Sequence, residues 1–219
     1  MSEKQDKKSY YPLFLDIRGK RCVVVGGGSV ALRKVSTLLE YGASVLVISP
    51  SVCPELTELT DRQKIQVKLK SFEPEDIKRA FILIAATDKN EVNELVASEA
   101  RKQKIMINVV DKAIESDFIL PAILSRGDLT LSVSTAGRSP ALSRKLRDHL
   151  AKYLGAEYEA LTDLVAEVRT EIKVSGISIE DEVWQEALNL DVLTHLLRNG
   201  HREQAKSYLM ANLTSPDSV

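Results

Sequence analysis

The hydrophobic pattern of the first half of the chain alternates between two periods. Arg21 to Gly26 (RCVVVG) is a β-branched run closed by glycine, as expected of a buried strand. Val30, Leu32, Val35, Leu38 and Leu39 then recur at helical spacing, and Gly42 is placed to end that helix. Ser44 to Ile48 reads as a second strand, Pro50 to Leu59 as a short helix, and Ile65 to Leu69 as a third strand. A short helix over Glu73 to Arg79, a strand over Phe81 to Ala85, an amphipathic helix over Asn90 to Lys104 and a strand over Met106 to Val110 follow. Strands that are apolar on both faces and alternate with helices predict a parallel sheet covered on both sides.

The pattern changes after Asp111. Phe118 to Leu124 and Leu129 to Ser134 predict two strands joined across Ser125 to Asp128 as a hairpin, with Pro121 demanding an edge position or a bulge in the first of them. From Ser139 onward the chain is helical. Ser139 is placed as an N-cap with Pro140 in the first turn, and Glu157 to Lys173, Glu180 to Arg198 and Arg202 to Asn212 carry helical apolar spacing. The expected fold class is therefore α/β: a Rossmann-type parallel sheet over residues 1–111, a small strand-containing segment over 112–150, and a helical C-terminal domain over 151–219. The first nine or so residues are polar and are expected to be mobile.

Composition adds little until it is divided by segment. With 44% hydrophobic and 28% charged residues in 219, neither disorder nor a fibrous repeat fits. No apolar run is long enough for a membrane helix, and the charged start is unlike a signal peptide, so a cytoplasmic protein without a membrane partner is expected. Two cysteines, Cys22 and Cys53, are too few for a disulfide framework and suit a reducing compartment. The net charge of −1 conceals +3 over residues 1–111, +3 over 112–152 and −7 over 153–219. The basic middle stretch lacks interleaved aromatics and the tail is acidic, which argues against nucleic acid.

The first strand leads into Gly26, Gly27, Gly28, Ser29, Val30 and Ala31, a GxGxxA pattern opening a helix. Gly26 allows the tight turn, Gly28 lets the backbone approach a diphosphate, and Ala31 lets the helix pack closely on the sheet. Between a strand and a helix at the start of an α/β alternation, this pattern predicts a dinucleotide site. No acidic residue follows the second strand, where Ser49, Pro50 and Ser51 stand, and no arginine is there to meet a 2′-phosphate, which leaves NAD favoured over NADP. Thr87 and Asp88 leave the fourth strand at the carboxyl edge where such ligands sit; Asp88 either contacts the cofactor or caps the next helix.

The succession YPLFLDIRGKRCVVVGGGSVALRK, AATD with NEVN, NVVD, FILPAILSRG and STAGRSPALSRKLR resembles the precorrin-2 dehydrogenase family, also found as the dehydrogenase and chelatase half of siroheme synthases. The resemblance runs from about Tyr11 to His149 and rests on five separated motifs in order. It implies a homodimer that oxidises precorrin-2 to sirohydrochlorin with NAD, and iron insertion in some members. It also implies that Asp111, which closes NVVD, is the catalytic carboxylate, and that Ser29, Val30, Pro50 and Ser51 meet the cofactor. Many members read SSGG where this chain has Ser134, Thr135, Ala136 and Gly137, so regulation tied to a serine there does not carry over simply.

Residue chemistry is compatible with that implication. A carboxylate at a strand's carboxyl end suits proton removal, although Asp111 could instead only begin a loop. A substrate with eight carboxylates needs cations, and the middle segment offers Lys112, Arg126, Arg138, Arg144, Lys145 and Arg147; the last three also read as a solvated helix face. Asn108, Lys112, Thr135, Gly137, Arg138 and Ser139 are the expected substrate contacts. His149, His195 and His201 show no metal-ligand spacing, so no metal site is expected. A non-catalytic nucleotide sensor whose helical tail docks a partner is the alternative.

Overall fold

A computed structural model describes residues 9–214, so all but Ser9 of the polar start lies outside the described residues. The chain forms two compact units, residues 1–120 and 121–219.

The first unit is built on β1 (Arg21–Val25), β2 (Ser44–Ser49), β3 (Gln66–Leu69), β4 (Ile82–Ala85) and β5 (Met106–Val109), all parallel in the order β3-β2-β1-β4-β5. Helices α1 (Ser29–Glu40), α2 (Pro54–Asp61) and α3 (Asn90–Lys102) connect them. Successive residues of a strand point to opposite faces, and both faces here are covered. Cys22 and Val24 of β1 join Val45, Val47, Ile82 and Ile84 beneath Ala31, Val35 and Leu38 of α1. Val23 and Val25 join Leu46, Ile48, Leu83, Ala85, Ile107 and Val109 beneath Val96, Ala97 and Ala100 of α3. Each fully buried valine, leucine or isoleucine side chain contributes about 1.5–3 kcal/mol, so this double core fixes the sheet. Gly42, at φ +72 and donating its N–H to the Leu39 carbonyl, ends α1 as expected.

The helix expected over Glu73 to Arg79 is only a 3-10 turn, Pro74–Ile77. Glu73 and Asp76 close a reciprocal capping box around it, and Arg79, at φ +62, turns the chain away. Buried Asp76 pairs with Lys68 at 3.0 Å and Lys70 at 3.2 Å. Burial opposes its ionisation, but the Lys68 ammonium, the Glu73 amide and Lys70 outweigh that and hold the carboxyl below its usual range.

The second unit opens with an antiparallel hairpin, β6 (Ala122–Arg126) and β7 (Leu129–Val133). Its first strand starts four residues later than the hydrophobic run suggests. Asp117 and Phe118 are held to β5, where the Ile107 N–H donates to the Asp117 carboxylate and the Asn108 amide to the Phe118 carbonyl. Pro121 therefore precedes the strand and disrupts no ladder, which removes the need for a bulge. Arg126 pairs with Leu129, so the turn is the two residues Gly127 and Asp128, with Gly127 at φ +54.

Helices α4 (Pro140–Leu150), α5 (Glu157–Val174), α6 (Asp181–Ala187), α7 (Leu190–Arg198) and α8 (Arg202–Leu213) complete the chain. Ser139 caps α4 by accepting the Leu142 N–H at 3.2 Å. Leu161, Leu164, Val168, Leu193, Ala205 and Leu209 form the centre of their core. The single helix expected over Glu180 to Arg198 is broken because the Asn189 side chain accepts the Val192 N–H and restarts it as α7. Trp184 packs on this helical core beneath the Arg169 guanidinium, 5.7 Å from the ring centre. Among the described residues no helix is long and apolar enough to cross a membrane.

Candidate functional site

In the register of the sheet, Val25 lies between Ile48 and Ala85, so β1, β2 and β4 end level and the chain reverses direction of winding between β1 and β4. Crevices of this kind, outside the carboxyl ends of parallel strands, are where open α/β sheets bind ligands. The glycine loop fills it. Gly26 sits at φ +132, and a Cβ there would come within 2.2 Å of the Ala86 carbonyl oxygen. A Cβ on Gly27 would lie 1.9 Å from the Ser51 carbonyl oxygen. Gly26 N–H donates to the Ile48 carbonyl, and Cys53 N–H to that of Gly27, tying the loop to the exit of β2.

Gly28 differs from both. It is the exposed N-cap of α1, and a Cβ on it would meet nothing within 4 Å. Its open side, with Ser29 and Val30 exposed beside it and Ala31 fully buried beneath, leaves the first-turn amides of α1 facing outward. These are the features a diphosphate needs: unobstructed backbone, unpaired N–H groups and the positive end of a helix. Ser49 is buried, whereas Pro50 and Ser51 are exposed at the end of β2.

At the end of β4, Thr87 is anchored by a residue that sequence reasoning missed. Asn93, buried in the first turns of α3, accepts the Thr87 N–H at 3.2 Å and donates to its carbonyl at 2.9 Å. The Thr87 hydroxyl lies 2.9 Å from both Asn93 Oδ1 and the Lys89 carbonyl, so it is committed to shaping the turn. The available signal was a polar residue in the apolar stripe of α3 with Val96, Ala97 and Ala100. Asp88 is exposed and is not the cap of α3; that position belongs to Lys89.

β5 delivers Asp111 to the same edge. Asp111 is exposed and held at φ +59, a left-handed conformation that aspartate tolerates better than most residues. The segment after it is strapped back on β5 by buried Ser116, whose hydroxyl accepts the Val109 N–H at 2.9 Å. Asn108 is buried with its amide spent on Phe118. Lys112 is already paired, with Glu115 at 2.9 Å and Glu94 at 3.4 Å, and hydrogen bonds to these two carboxylates push its ammonium up. A second missed residue is Lys34 of α1, which is half-buried. Burial and then like-charged Arg33 push its ammonium below the ordinary lysine range, and the opposing influence is the Asp111 carboxylate.

Asn108, Asp111 and Lys112 thus belong to the first unit with the cofactor candidates, whereas Thr135, Gly137, Arg138 and Ser139 belong to the second. There the Thr135 hydroxyl accepts the Ser139 N–H at 2.9 Å and lies 3.2 Å from the Ser143 hydroxyl, pinning the turn before α4. Ala136 at φ +52 and Gly137 at φ +80 form that turn and leave Arg138 exposed at the start of α4, with no ion pair among the described residues. Arg126 is committed to the Leu154 carbonyl, and Arg147 pairs with Asp148 at 2.7 Å. His149 stacks edge-on with Tyr153, and among the described residues no three His, Cys, Asp or Glu side chains converge as a metal site would require.

The chain matches a family described as putative NAD(P)-binding over residues 13–122 and one described as sirohaem biosynthesis protein central over residues 126–153. It is 39% identical to the siroheme synthase of Nitrosococcus oceani over 206 residues, which is 93% of this chain and 44% of that one. It is 42% identical to that of Methylococcus capsulatus over 203 residues, 92% of this chain and 43% of the relative. The chain thus spans less than half the length of these relatives. Among solved structures it resembles SirC, a precorrin-2 dehydrogenase, with a TM-score of 0.69 and 27% identity, covering 93% of this chain and 98% of the other.

Proposed function

Because the chain belongs to the putative NAD(P)-binding family and continues into the sirohaem biosynthesis central segment, we propose that it oxidises precorrin-2 to sirohydrochlorin with NAD, in the formation of siroheme. One observation carries the reading: a glycine loop fit for a dinucleotide and an exposed carboxylate, Asp111, with no ion pair among the described residues, lie along the carboxyl edge of one parallel sheet. The likeness to SirC over nearly its whole length supports the substrate, and that to siroheme synthases supports the pathway.

NAD, when bound, supplies the hydride acceptor; precorrin-2 loses that hydride and one proton. The residues of the chain do the rest. Gly28 and the amides of Ser29, Val30 and Ala31 would hold the diphosphate on a turn that Gly26 shapes, while Ser49, Pro50 and Ser51 border the adenosine ribose, and Thr87 with Asp88 the far side of the crevice. Asp111 takes the proton as general base, which its exposed position at the end of β5 permits. Arg138, an unpaired guanidinium among the described residues, holds substrate carboxylates, assisted by the Gly137 amide in the turn before α4, while Ser139 borders the substrate as the cap of that helix. Asn108 and Thr135 serve the substrate indirectly by fixing the loops that carry these groups.

The reading includes a homodimer and a cytoplasmic setting. Leu142, Leu146 and Leu150 form an exposed apolar stripe on α4, next to the basic positions, and burying it in a twofold partner would remove it from water. Precorrin-2 incubated anaerobically with NAD or NADP, with and without ferrous or cobaltous ion, tests the function by absorbance. Sirohydrochlorin formation with NAD alone is expected. Tight NAD binding with no oxidation of precorrin-2 would reject the reaction and favour the nucleotide sensor.

A further inference from the structure

We propose that Lys34 orients the substrate, its ammonium taking a peripheral carboxylate of the tetrapyrrole while Asp111 faces the ring. This inference rests on the reading of Asp111 as the base.

Lys34 flanks the buried stripe of α1 formed by Ala31, Val35 and Leu38. Val110 and Phe118, which bracket the Asp111 loop, pack against that same core, so Lys34 and Asp111 share a face of the sheet. Long helical side chains lean toward the helix N-terminus, which for α1 is the carboxyl edge of the sheet where Asp111 stands. Its electrostatic neighbours agree with this placement. Arg33 on α1 repels the Lys34 ammonium and Asp111 attracts it, while Lys112 beside Asp111 is already engaged by Glu94 of α3 and Glu115.

Among the described residues Lys34 makes no ion pair or hydrogen bond, although it is half-buried. A partly desolvated ammonium without a counter-ion is costly, and other cations of the chain avoid that state: Lys68 and Lys70 hold Asp76, and Arg147 holds Asp148. Asp111 attracts Lys34 without closing an ion pair. The chemistry that completes this arrangement is an anion reaching Lys34 from the crevice. The diphosphate of the cofactor belongs at Gly28, six residues back, about 9 Å along the helix axis and roughly a third of a turn around it, so the anion assigned to Lys34 is a substrate carboxylate on another side of α1.

The full chain and its Lys34→Gln and Lys34→Arg variants are titrated with uroporphyrin, an octacarboxylate that is not oxidised by NAD, and separately with NAD. Lys34→Gln is expected to weaken porphyrin binding about tenfold at low salt, with the difference shrinking at high salt, and to leave NAD affinity within about twofold. Lys34→Arg is expected to restore most of the loss. In turnover, Lys34→Gln should raise KM more than it lowers kcat, a split that a general loss of structure would not give. Unchanged porphyrin affinity in Lys34→Gln overturns the proposal, and lost NAD affinity with porphyrin affinity intact reassigns Lys34 to the cofactor. If Lys34→Gln does not fold, porphyrin affinity of the folded Lys34→Arg variant falling as far as that of Arg138→Ala overturns it equally. A wild type that binds uroporphyrin yet oxidises no precorrin-2 refutes the reaction, while the variants still decide the carboxylate contact.

Discussion

Adjacent glycines in the loop after β1 respond differently to the same methyl group. In Gly27→Ala the new Cβ would lie 1.9 Å from the Ser51 carbonyl oxygen and 2.8 Å from the Ser49 hydroxyl. Backbone must move by more than an ångström to relieve that, and overpacking of this kind costs about 1–3 kcal/mol or more. A loss of about 3 kcal/mol corresponds to a fall of roughly 10 °C in the melting midpoint of a unit this size. In Gly28→Ala the methyl meets nothing within 4 Å, and φ −89°, ψ −172° is open to alanine. The poorer N-cap and the stiffer unfolded chain offset one another to within about 0.5 kcal/mol. That methyl does, however, stand where a diphosphate approaches the backbone, and losing one charge-assisted amide bond, about 1.5–3 kcal/mol, weakens NAD roughly ten- to hundredfold. Calorimetric melting and NAD titration of both variants separate these effects. Wild-type NAD affinity in Gly28→Ala, or a wild-type melting point in Gly27→Ala, would refute the reasoning.

Asp111→Asn tolerates the left-handed backbone at φ +59 and should retain NAD affinity and stability while lowering sirohydrochlorin formation at least about a hundredfold, read by absorbance. Asn93→Leu removes both bonds to the Thr87 backbone and leaves buried groups unpaired, so a loss of about 1–3 kcal/mol in denaturant unfolding is expected, with weaker NAD binding because the β4 exit loosens. Burial pushes the Cys22 thiol up to about 11 from its ordinary value, so the folded state favours the neutral thiol. The associated stability is fully present below the unfolded thiol pKa and is lost as pH rises toward 11; Cys22→Ala should flatten that alkaline fall in the melting point. Asp76 titrates in the opposite sense: its contribution is present above the unfolded carboxylate pKa and is lost as pH falls through the lowered folded value, so Asp76→Asn should flatten the acid limb.

The parts of the site that were legible in the sequence are those set by local rules. RCVVV followed by GGGSVA specifies a strand, a tight turn and a closely packed helix, because the residue types at Gly26 and Ala31 are fixed by backbone shape and helix packing. Ser139 before Pro140 likewise announces a helix start that α4 makes. Boundaries failed where a side chain bonded to a distant or competing backbone group. Asn189 interrupts a continuous helical pattern by capping α7, and Asn108 with Asp117 draws Phe118 out of the hairpin and onto β5.

By itself the sequence determined the alternation of apolar periods, hence a doubly covered parallel sheet, and the glycine loop that suits a dinucleotide. Only the tertiary structure decided which polar residues are free to act. Lys112 and Lys34 are both lysines near Asp111, yet Lys112 is consumed by Glu94 and Glu115 while Lys34 is half-buried without an ion pair among the described residues. Thr87 likewise spends its hydroxyl on a turn, whereas Gly28 presents an open face. Periodicity records which side of an element meets the core. Whether a charge or hydroxyl is satisfied depends on what the rest of the chain brings within about 3 Å of it, which is settled only by packing elements far apart in sequence.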